Sequence, residues 1–326
     1  MIERRAVHGK GQLKLFVGGG NGLVIISMLA KVEAGNTEGL SHKNQAVSIE
    51  RPVPGSNIPL SLHKDPGKVS RHLPQQDCEP AAVKALSDSL RLLAKWRSAL
   101  LQEAWLQREG NRVKFGPFAG VQLGPRSGEG CHLAKLMGIY EQPLWSIIKT
   151  AITRQYSTII NIGAAEGYYA IGMALRMPKG RVFAFEGNSV ARVVLEELVR
   201  LNGVEQRVEC RGMFGTQHLS ECDGQPVLVI CDIEGAEFEL FSEQSIKFLR
   251  NADLIVEPHD VGRRGLTAEF ARRPSHTHDA ILVSDNGMRT FEAPDWFQQL
   301  YHLDQLLATR GWRSPLTPWL VLKAKR

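Results

Sequence analysis

Hydrophobic and polar positions follow two alternating patterns along the second half of the chain. Short apolar runs, each followed by polar or small residues, are typical of buried strands. Between these runs lie longer segments with apolar residues at helical spacing. Strands and helices in alternation predict a parallel sheet with helices on both faces. The predicted strands are Thr158–Ile162, Arg181–Phe185, residues 207–211, Val227–Cys231 and residues 253–257.

The helix predicted between the second and third of these strands has recognisable ends and one apolar face. Ser189 is placed at its N-cap, where a hydroxyl can accept a free backbone N–H. At helical spacing, one apolar face is predicted from Val190, Val194, Leu198 and Leu201. Gly203 follows as the stop signal.

The pattern of apolar residues divides the chain into three parts. Residues 1–79 are mostly without a sustained apolar period and predict a disordered or linker-like segment. An apolar stretch over residues 16–30 is interrupted by glycines and is shorter than the ~20 apolar residues that cross a bilayer, so no membrane partner is expected. Residues 80–157 predict a flank with a long helix and a short β pair, and residues 158–326 predict the main domain. This domain ends in strands over residues 278–284 and Trp319–Ala324, with a helix around residues 303–309 between them.

The composition indicates a globular protein but identifies no binding partner. The 326 residues are 43% hydrophobic and 23% charged, which is ordinary for a soluble globular protein. The net charge of +6 is not concentrated in runs of Lys or Arg, so no nucleic-acid partner is expected. The five cysteines form no C-x-x-C pair. This argues against a disulfide framework or a zinc site and indicates a cytoplasmic protein.

The first predicted strand leads into a loop of small residues with the sequence Asn161-Ile162-Gly163-Ala164-Ala165-Glu166-Gly167. A strand, a glycine turn and a helix start in this order are typical of a nucleotide pocket, because glycine admits a close ligand and the helix N-terminus offers free N–H groups. Glu186 follows the second strand, 23 positions after Gly163. An acid about 20 residues past such a loop holds a ribose diol in doubly wound folds. The two features together predict a site for a ribose-bearing cofactor.

Titratable residues also follow the fourth and fifth predicted strands. They are Asp232, Glu234 and Glu237 after the fourth, and Glu257, His259 and Asp260 after the fifth. Because the carboxyl ends of parallel strands meet at one edge of a sheet, these side chains are expected to line the same pocket. As alternatives, Glu234 and Glu237 cap or begin the next helix, and His259 bonds only to loop backbone. Glu257 is then a structural acid paired with a neighbouring basic group. Magnesium would suit such oxygen-rich groups, but their spacing does not demand an ion, and no metal is assigned.

These motifs carry a resemblance to a known family. From about Val113 to its end, the chain resembles class I S-adenosylmethionine (SAM)-dependent methyltransferases of the FkbM type. The matching blocks are NIGAAEGYY at 161–169, FAFE at 183–186, DIEGAE at 232–237 and EPHD at 257–260, with LMGIYE at 136–141 upstream. The resemblance implies an α/β fold with a Rossmann-like, doubly wound, seven-stranded and mostly parallel sheet behind a helical and short β flank. It also implies an antiparallel final strand, S-adenosyl-L-methionine as cofactor and methyl transfer to a small molecule through oxygen.

The same resemblance assigns roles to positions of this chain. In the family the glycine loop passes beneath the methionine part of the cofactor, and the acid after the second strand binds both ribose hydroxyls. The cofactor-binding set implied here is Asn161, Gly163, Ala165, Gly167, Tyr168, Glu186 and Asp232. Asp232, Glu234 and His259 are the candidates for catalysis on the acceptor side, and His259 is the preferred base because its unperturbed pKa of ~6.5 suits neutral pH. The family usually carries an acid at the position of Asn161, and an amide cannot offer a full negative charge there.

Other functions share parts of this pattern. An NAD(P)-dependent oxidoreductase would share the loop and the role of Glu186, but it predicts G-x-G-x-x-G where this chain has Gly163-x-Ala165-x-Gly167. A non-catalytic methyltransferase-like binding module would keep the fold without needing Glu186. A nucleic-acid methyltransferase is disfavoured, because the chain lacks an Asn/Asp-Pro-Pro-aromatic block after the fourth strand.

Overall fold

The computed structural model describes residues 12–19, 22–29, 80–124, 131–222, 226–259, 265–310 and 317–325. The chain divides into two units, Met1–Leu90 and Arg91–Arg326.

The first unit contains a β-hairpin where the sequence pattern predicts a linker. Strands β1 (Gln12–Gly19) and β2 (Gly22–Leu29) pair antiparallel, with Gln12 opposite Leu29. Two apolar runs separated by a Gly-Asn pair are a hairpin signal, and this signal outweighs the glycines that interrupt the stretch. The linker interpretation is therefore wrong for these two runs. Residues 1–11 and 30–79 lie outside the described part of the chain.

The remaining described chain contains ten α-helices, seven further strands and three short 3-10 helices, at Gln142–Leu144, Thr216–Cys222 and Lys247–Leu249. The flank supplies α1 (Pro80–Glu109), α2 (His132–Met137) and α3 (Trp145–Arg154). The main sheet and its helices follow as β3 (Thr158–Ile162), α4 (Tyr168–Arg176), β4 (Arg181–Phe185), α5 (Ser189–Leu201), β5 (Val208–Arg211), β6 (Val227–Cys231), α6 (Glu237–Leu240), α7 (Glu243–Ile246), β7 (Asp253–Val256), α8 (Leu266–Arg272), β8 (His278–Val283), α9 (Asp295–Gln298), α10 (His302–Thr309) and β9 (Trp319–Ala324).

The seven strands of the second unit form one sheet in the order β5-β4-β3-β6-β7-β9-β8. Strands β3 to β7 are parallel, and β9 runs antiparallel to both of its neighbours. The chain reverses its direction of travel across the sheet at β3, since β4 lies on one side of it and β6 on the other. This order, with the last strand inserted antiparallel, is that of the class I methyltransferase fold, as predicted.

The central strands β3, β6 and β7 are buried on both faces, as is usual for parallel strands between helices, whereas the edge strand β8 is mostly exposed. Strand residues alternate between two hydrophobic clusters. Ile159 belongs to the first cluster and Ile160 to the second. The first cluster also contains Trp105, Val113 and Phe118 from the flank. The part of the flank from Arg91 onward thus shares its core with the sheet.

The flank is tied to the C-terminal helices by a charged pair. The guanidinium of Arg97 in α1 donates to both carboxylate oxygens of Asp304 in α10, at 2.7 and 2.6 Å. The predicted β pair near Val113 is reduced to a single bridge between Arg112 and Gln122. In the described part of the chain, no helix combines the length and apolar character needed to cross a bilayer.

The ends of α5 differ from the prediction by one position. The N-cap is Asn188, whose side-chain oxygen accepts the N–H groups of Val190 at 2.9 Å and Ala191 at 3.3 Å. The prediction of Ser189 as the cap is therefore wrong, since an amide oxygen one residue earlier reaches the same donors. The buried face also shifts. Leu195, Leu198 and Val199 are buried, whereas Val190 is 73% exposed.

A small cavity lies at the amino edge of the sheet, away from the residues that the sequence singles out. It is lined by Arg154, Tyr156 and Asp253, among others. Arg154 and the Tyr156 hydroxyl both donate to Asp253, which also accepts the N–H of Ala324 at 2.9 Å. This network joins α3 to β7 and β9 and is structural.

Candidate cofactor and active site

Four residues that directly follow parallel strands form a row along the carboxyl edge of the sheet. Ile162 is paired with Phe185 and with Cys231, and Cys231 is paired with Val256. The residues one position further on are therefore neighbours. They are Glu186, Gly163, Asp232 and Glu257, and each still makes one backbone hydrogen bond of 2.9–3.1 Å to the adjacent strand. The predicted meeting of these positions at one edge is observed.

The glycine loop leaves this row with a backbone that few side chains tolerate. Gly163 has φ 75°, and a Cβ there would lie 1.8 Å from the carbonyl oxygen of Asp232. Gly167, the N-cap of α4, has φ 95°. Ala165 has φ 46°, in the left-handed region that is costly for a residue with a Cβ. Gly163 and Ala165 are half-buried while Ala164 and Glu166 are buried, so the open face of the loop carries only the smallest side chains.

Glu186 binds the loop from the neighbouring strand. One of its carboxylate oxygens accepts the N–H of Ala165 at 2.8 Å, and the other accepts the N–H of Asn188 at 2.7 Å. Two main-chain donors fix the carboxylate beside the loop, and each oxygen keeps a further lone pair for a hydroxyl donor. Glu186 is half-buried, so a ligand can reach it.

Met213 is a neighbour of Glu186 that the sequence patterns did not single out. It follows β5 and is 77% exposed, yet its side chain comes within 3.3 Å of the place where a Cβ of Gly187 would lie. An exposed methionine beside the ribose-type acid offers an adaptable apolar surface for a flat ring. An exposed Met two positions past a strand of the sheet is the signal that could have identified it.

Asn161 lies in β3 beneath the loop. It is 3% exposed, and its amide nitrogen is 3.4 Å from the carbonyl oxygen of Ile230. Its amide oxygen is buried and finds no hydrogen-bond partner among the described residues. A buried acceptor without a donor is unusual in a folded protein and suits a ligand that brings an N–H or O–H group.

Tyr168 contributes its backbone rather than its ring to this edge. The ring is buried and meets those of Phe118, Tyr140 and Tyr169 edge-on, at centroid distances of 5.3–5.5 Å. Burial raises the pKa of the Tyr168 hydroxyl, so the phenol stays protonated. As the first residue of α4, Tyr168 presents its N–H at a helix start, where anionic groups are favoured.

His259 lies against three carboxylates at the same edge of the sheet. Its Nδ1 is 2.9 Å from a carboxylate oxygen of Glu237, and its Nε2 is 3.4 Å from Glu234 and 3.8 Å from Asp232. Its side chain is 8% exposed, whereas that of Glu234 is 78% exposed. The Nδ1–H···Glu237 bond fixes the ring so that Nε2 faces the two other acids.

The charge of His259 differs from the one that its unperturbed pKa predicts. Burial alone would lower its pKa, but the hydrogen bond to Glu237 and the charges of Glu237, Asp232 and Glu257 outweigh burial and raise the pKa of His259 to about 9. Its imidazole therefore carries a proton at neutral pH. The argument that this His is a ready base because of a pKa near 6.5 is wrong for the ligand-free protein.

Glu237 also organises the loop after β6. Burial favours its neutral form, but the bond to His259 and the N–H groups of Ile233 and Gly235 lower its pKa. These N–H donors lie at 3.0 and 3.1 Å, and α6 begins at Glu237. The alternative that Glu237 begins a helix is confirmed. Asp260, the remaining titratable residue of this group, lies outside the described residues.

Glu141 of the flank reaches the same edge, which the sequence patterns did not predict. Its carboxylate accepts the hydroxyl of Tyr169, and that of Glu257 accepts the hydroxyl of Thr317. Oxygens of Glu141, Asp232 and Glu257 all lie within 4.8 Å of one another, as do the ligand atoms of Asp232, Glu237 and His259. Either set has the donors that a divalent cation takes. Glu141 has φ 48°, so a strained backbone holds it there.

Comparisons with known proteins add likeness of fold. No protein-family model matches the chain, and no curated protein matches its sequence. Similar solved structures include the O-methyltransferase TomG of Streptomyces achromogenes, involved in tomaymycin synthesis and in complex with SAM, at 16% identity and TM-score 0.39 over 55% of this chain and 77% of that one. An O-methyltransferase of Bacillus cereus in complex with SAH has 14% identity and TM-score 0.38 over 54% and 78%. The tRNA methyltransferase TrmK of Bacillus subtilis has 13% identity and TM-score 0.34 over 54% and 64%. These names differ in their acceptors, and the fold assignment rests on the strand order of the sheet.

Proposed function

We propose that the protein is a SAM-dependent methyltransferase of the FkbM type that methylates an oxygen of a small molecule. One observation carries the proposal. At the point where the strand order reverses, the Ala165 N–H donates a hydrogen bond of 2.8 Å to the Glu186 carboxylate, beside a loop of small residues. Doubly wound sheets bind nucleotide cofactors at this point.

The residues present fit the cofactor. The ribose diol would be held by Glu186, whose oxygens keep lone pairs. The methionine part would lie across Gly163 and Ala165, where no side chain is larger than a methyl group. The amide oxygen of Asn161 would accept a donor from the ligand, and Met213 would cover the base. Bound SAM supplies an electrophilic methyl group on a positively charged sulfur.

The acceptor side would be formed by Asp232, Glu234 and His259. The protein's task there is to orient a hydroxyl and to accept its proton. His259 Nε2, fixed through Glu237, is the group that would accept it, and Asp232 would orient the hydroxyl. A nearby positive sulfonium favours loss of the His259 proton by like-charge repulsion, which brings the pKa of His259 back toward neutrality. A cytoplasmic location belongs to this proposal and is supported by the free thiols of Cys131, Cys210, Cys222 and Cys231.

The test is calorimetric titration of the purified protein with SAM and, separately, with NAD and NADP. We expect SAM to bind and Glu186→Ala to weaken its binding by ~2 kcal/mol, because hydrogen bonds to a charged group are lost. Glu205→Ala, an exposed acid on the loop after α5, is the matched control and should leave binding unchanged. Binding of a dinucleotide without SAM would reject the proposal in favour of an oxidoreductase. If the protein binds none of SAM, NAD and NADP, a non-catalytic binding module is favoured. Transfer of labelled methyl from SAM to a metabolite extract then identifies the acceptor class.

A further inference from the structure

A buried ion pair joins the glycine loop to the flank. The ammonium of Lys135, in α2, lies 2.7 Å from a carboxylate oxygen of Glu166, in the loop between β3 and α4. Lys135 is 2% exposed and Glu166 is 6% exposed. A buried ion pair rarely stabilises a fold more than apolar residues of similar volume do. Stability is therefore a poor explanation for this pair.

Two aromatic rings also lie beside the ammonium of Lys135. Its ammonium lies 4.9 Å from the ring centre of Tyr140 and 6.0 Å from that of Tyr168. Such cation–π contacts are attractive. Glu166 and Tyr168 stand on either side of Gly167, the N-cap of α4. One ammonium thus contacts both sides of the point where the loop becomes a helix.

The loop that Lys135 holds has a backbone that would relax if released. Ala165 is in the left-handed region at φ 46°, which is unfavourable for a residue with a Cβ. Its N–H is held by Glu186 from one side. The side chain of the next residue, Glu166, is held by Lys135 from the other. The strained residue therefore lies between two charged anchors, and only one of them belongs to the sheet.

We propose that Lys135 is a positioning residue of the cofactor site. Its bond to Glu166 fixes the loop so that the Ala165 N–H and the Glu186 carboxylate stay aligned as one ribose-binding surface. The inference rests on the proposed function, and it requires no contact between Lys135 and the cofactor. It makes the flank part of the cofactor site.

The test compares variants that separate positioning from stability. Lys135→Met leaves the Glu166 charge buried without its ammonium, so both the melting temperature and the affinity for SAM should fall, the affinity at least about tenfold. The double variant Lys135→Met/Glu166→Leu removes both charges, so its melting temperature should return to that of the wild type. Its affinity for SAM should nevertheless stay at least about tenfold weaker, because the directional bond is missing. Glu166→Gln keeps an oxygen that accepts a hydrogen bond from Lys135. Its affinity for SAM should lie between those of the wild type and the double variant.

The matched control is Lys84→Met, which removes an ammonium from the exposed pair with Asp88, 2.7 Å away. Neither melting temperature nor SAM affinity should change. A double variant with wild-type melting temperature and wild-type SAM affinity would overturn the positioning role.

Hydrogen exchange of the ligand-free proteins tests the same idea without cofactor. The amides of residues 164–168 should exchange at least about tenfold faster in the double variant than in the wild type, while amides of β6 stay equally protected. Equal exchange at residues 164–168 would overturn the inference. If wild-type protein bound no SAM, the proposed function would fail, and this exchange comparison alone would still decide whether Lys135 positions the loop.

Discussion

The amide oxygen of Asn161 is buried next to the carboxyl end of β3 and has no hydrogen-bond partner among the described residues. Leaving a buried acceptor unpaired costs about 1–3 kcal/mol. A ligand donor that reached this oxygen would recover that cost on binding. The residue is thus better matched to a ligand-bound state than to the ligand-free one.

This argument predicts opposite effects of Asn161→Asp on stability and on binding. A carboxylate at this buried position should lower the melting temperature of the ligand-free protein, because the charge loses its hydration. The same charge should tighten SAM binding by about tenfold, since hydrogen bonds to ionised groups are roughly twice as strong as neutral ones. Thermal unfolding and calorimetry on one preparation measure both. Asn161→Ala is the control, and it should weaken binding. Weaker binding by Asn161→Asp would remove this residue from the site.

The carboxylates near His259 at the carboxyl edge of the sheet already accept hydrogen bonds from protein side chains. Tyr169 donates to Glu141, Thr317 donates to Glu257, and His259 lies against Glu237. These donors partly satisfy the charges that a divalent cation would otherwise neutralise.

We therefore predict that methyl transfer does not require a metal ion. Dialysis against EDTA should leave the rate unchanged, and added Mg²⁺ should shift the melting temperature by less than about 1 °C, because a cation would have to displace hydrogen bonds already made. The measurement is the initial rate before and after dialysis. A rate lost on dialysis and restored by Mg²⁺ would instead make Glu141, Asp232 and Glu257 metal ligands.

At the level of elements, the strands of the main sheet were predictable and the helix details were not. The bounds of β3, β4, β6 and β9 match their apolar runs, because β3, β6 and β9 are almost wholly buried and β4 mostly so. In α5 the apolar positions allow two faces one residue apart, and packing against the sheet selects Leu195, Leu198 and Val199. Periodicity alone could not make this choice, since it depends on the angle at which the helix meets the sheet.

Some residues of the candidate site could likewise be predicted from the sequence, and others could not. Residues that directly follow strands could be placed from the sequence, because parallel strands deliver their carboxyl ends to one edge. Glu141 and Lys135 could not be placed, because they reach this edge only through the packing of the flank. No general rule relates positions in such a flank to the strand ends of the sheet. The raised pKa of His259 was likewise unpredictable, since it depends on acids brought together from two different strands.

The cap of α5 gives a direct test at this scale. Asn188→Ala should lower the free energy of unfolding by ~1 kcal/mol, because the N–H groups of Val190 and Ala191 lose their acceptor. Ser189→Ala should change it by only a few tenths of a kcal/mol, since its hydroxyl is not the cap. Urea unfolding of both variants measures the difference. The reverse ranking would restore Ser189 as the cap.

For the whole molecule, stability and activity are expected to respond to pH in opposite directions. The folded-state pKa of His259 is raised to about 9, above its unfolded value of 6.5. Its stabilising contribution is then complete below pH 6.5 and is lost as pH rises through about 9. A base that must first lose this proton becomes more active over the same range. Both consequences follow from the carboxylates of Glu237, Glu234, Asp232 and Glu257 around one imidazole.

The contribution of His259 can be measured from pH 7.5 to 8.5 as a difference between the wild type and a variant without this imidazole. The pKa of His132 and of His278 is lowered by burial, so both are neutral there in folded and unfolded chains. Burial raises the pKa of the thiols of Cys210, Cys222 and Cys231 in the folded chain, so these thiols also make stability fall toward pH 8.5, equally in both proteins. The free energy of unfolding of the wild type should fall by about 1 kcal/mol more than that of the variant, as linkage requires when folded His259 binds more protons. Over the same pH range kcat/KM of the wild type should rise, toward a plateau above pH 9.

His259→Gln is the variant that tests both halves of this expectation, since it removes the titrating group and keeps a hydrogen-bonding side chain. Between pH 7.5 and 8.5 its free energy of unfolding should fall by about 1 kcal/mol less than that of the wild type, and its residual kcat/KM should no longer rise with pH. Urea unfolding and initial rates of both proteins at five pH values measure the two slopes. If the stability slopes differ but the rate still rises, the base is another residue. If both proteins lose stability equally, the titrating group is not His259. A change of both slopes assigns the titration and the base to the same imidazole.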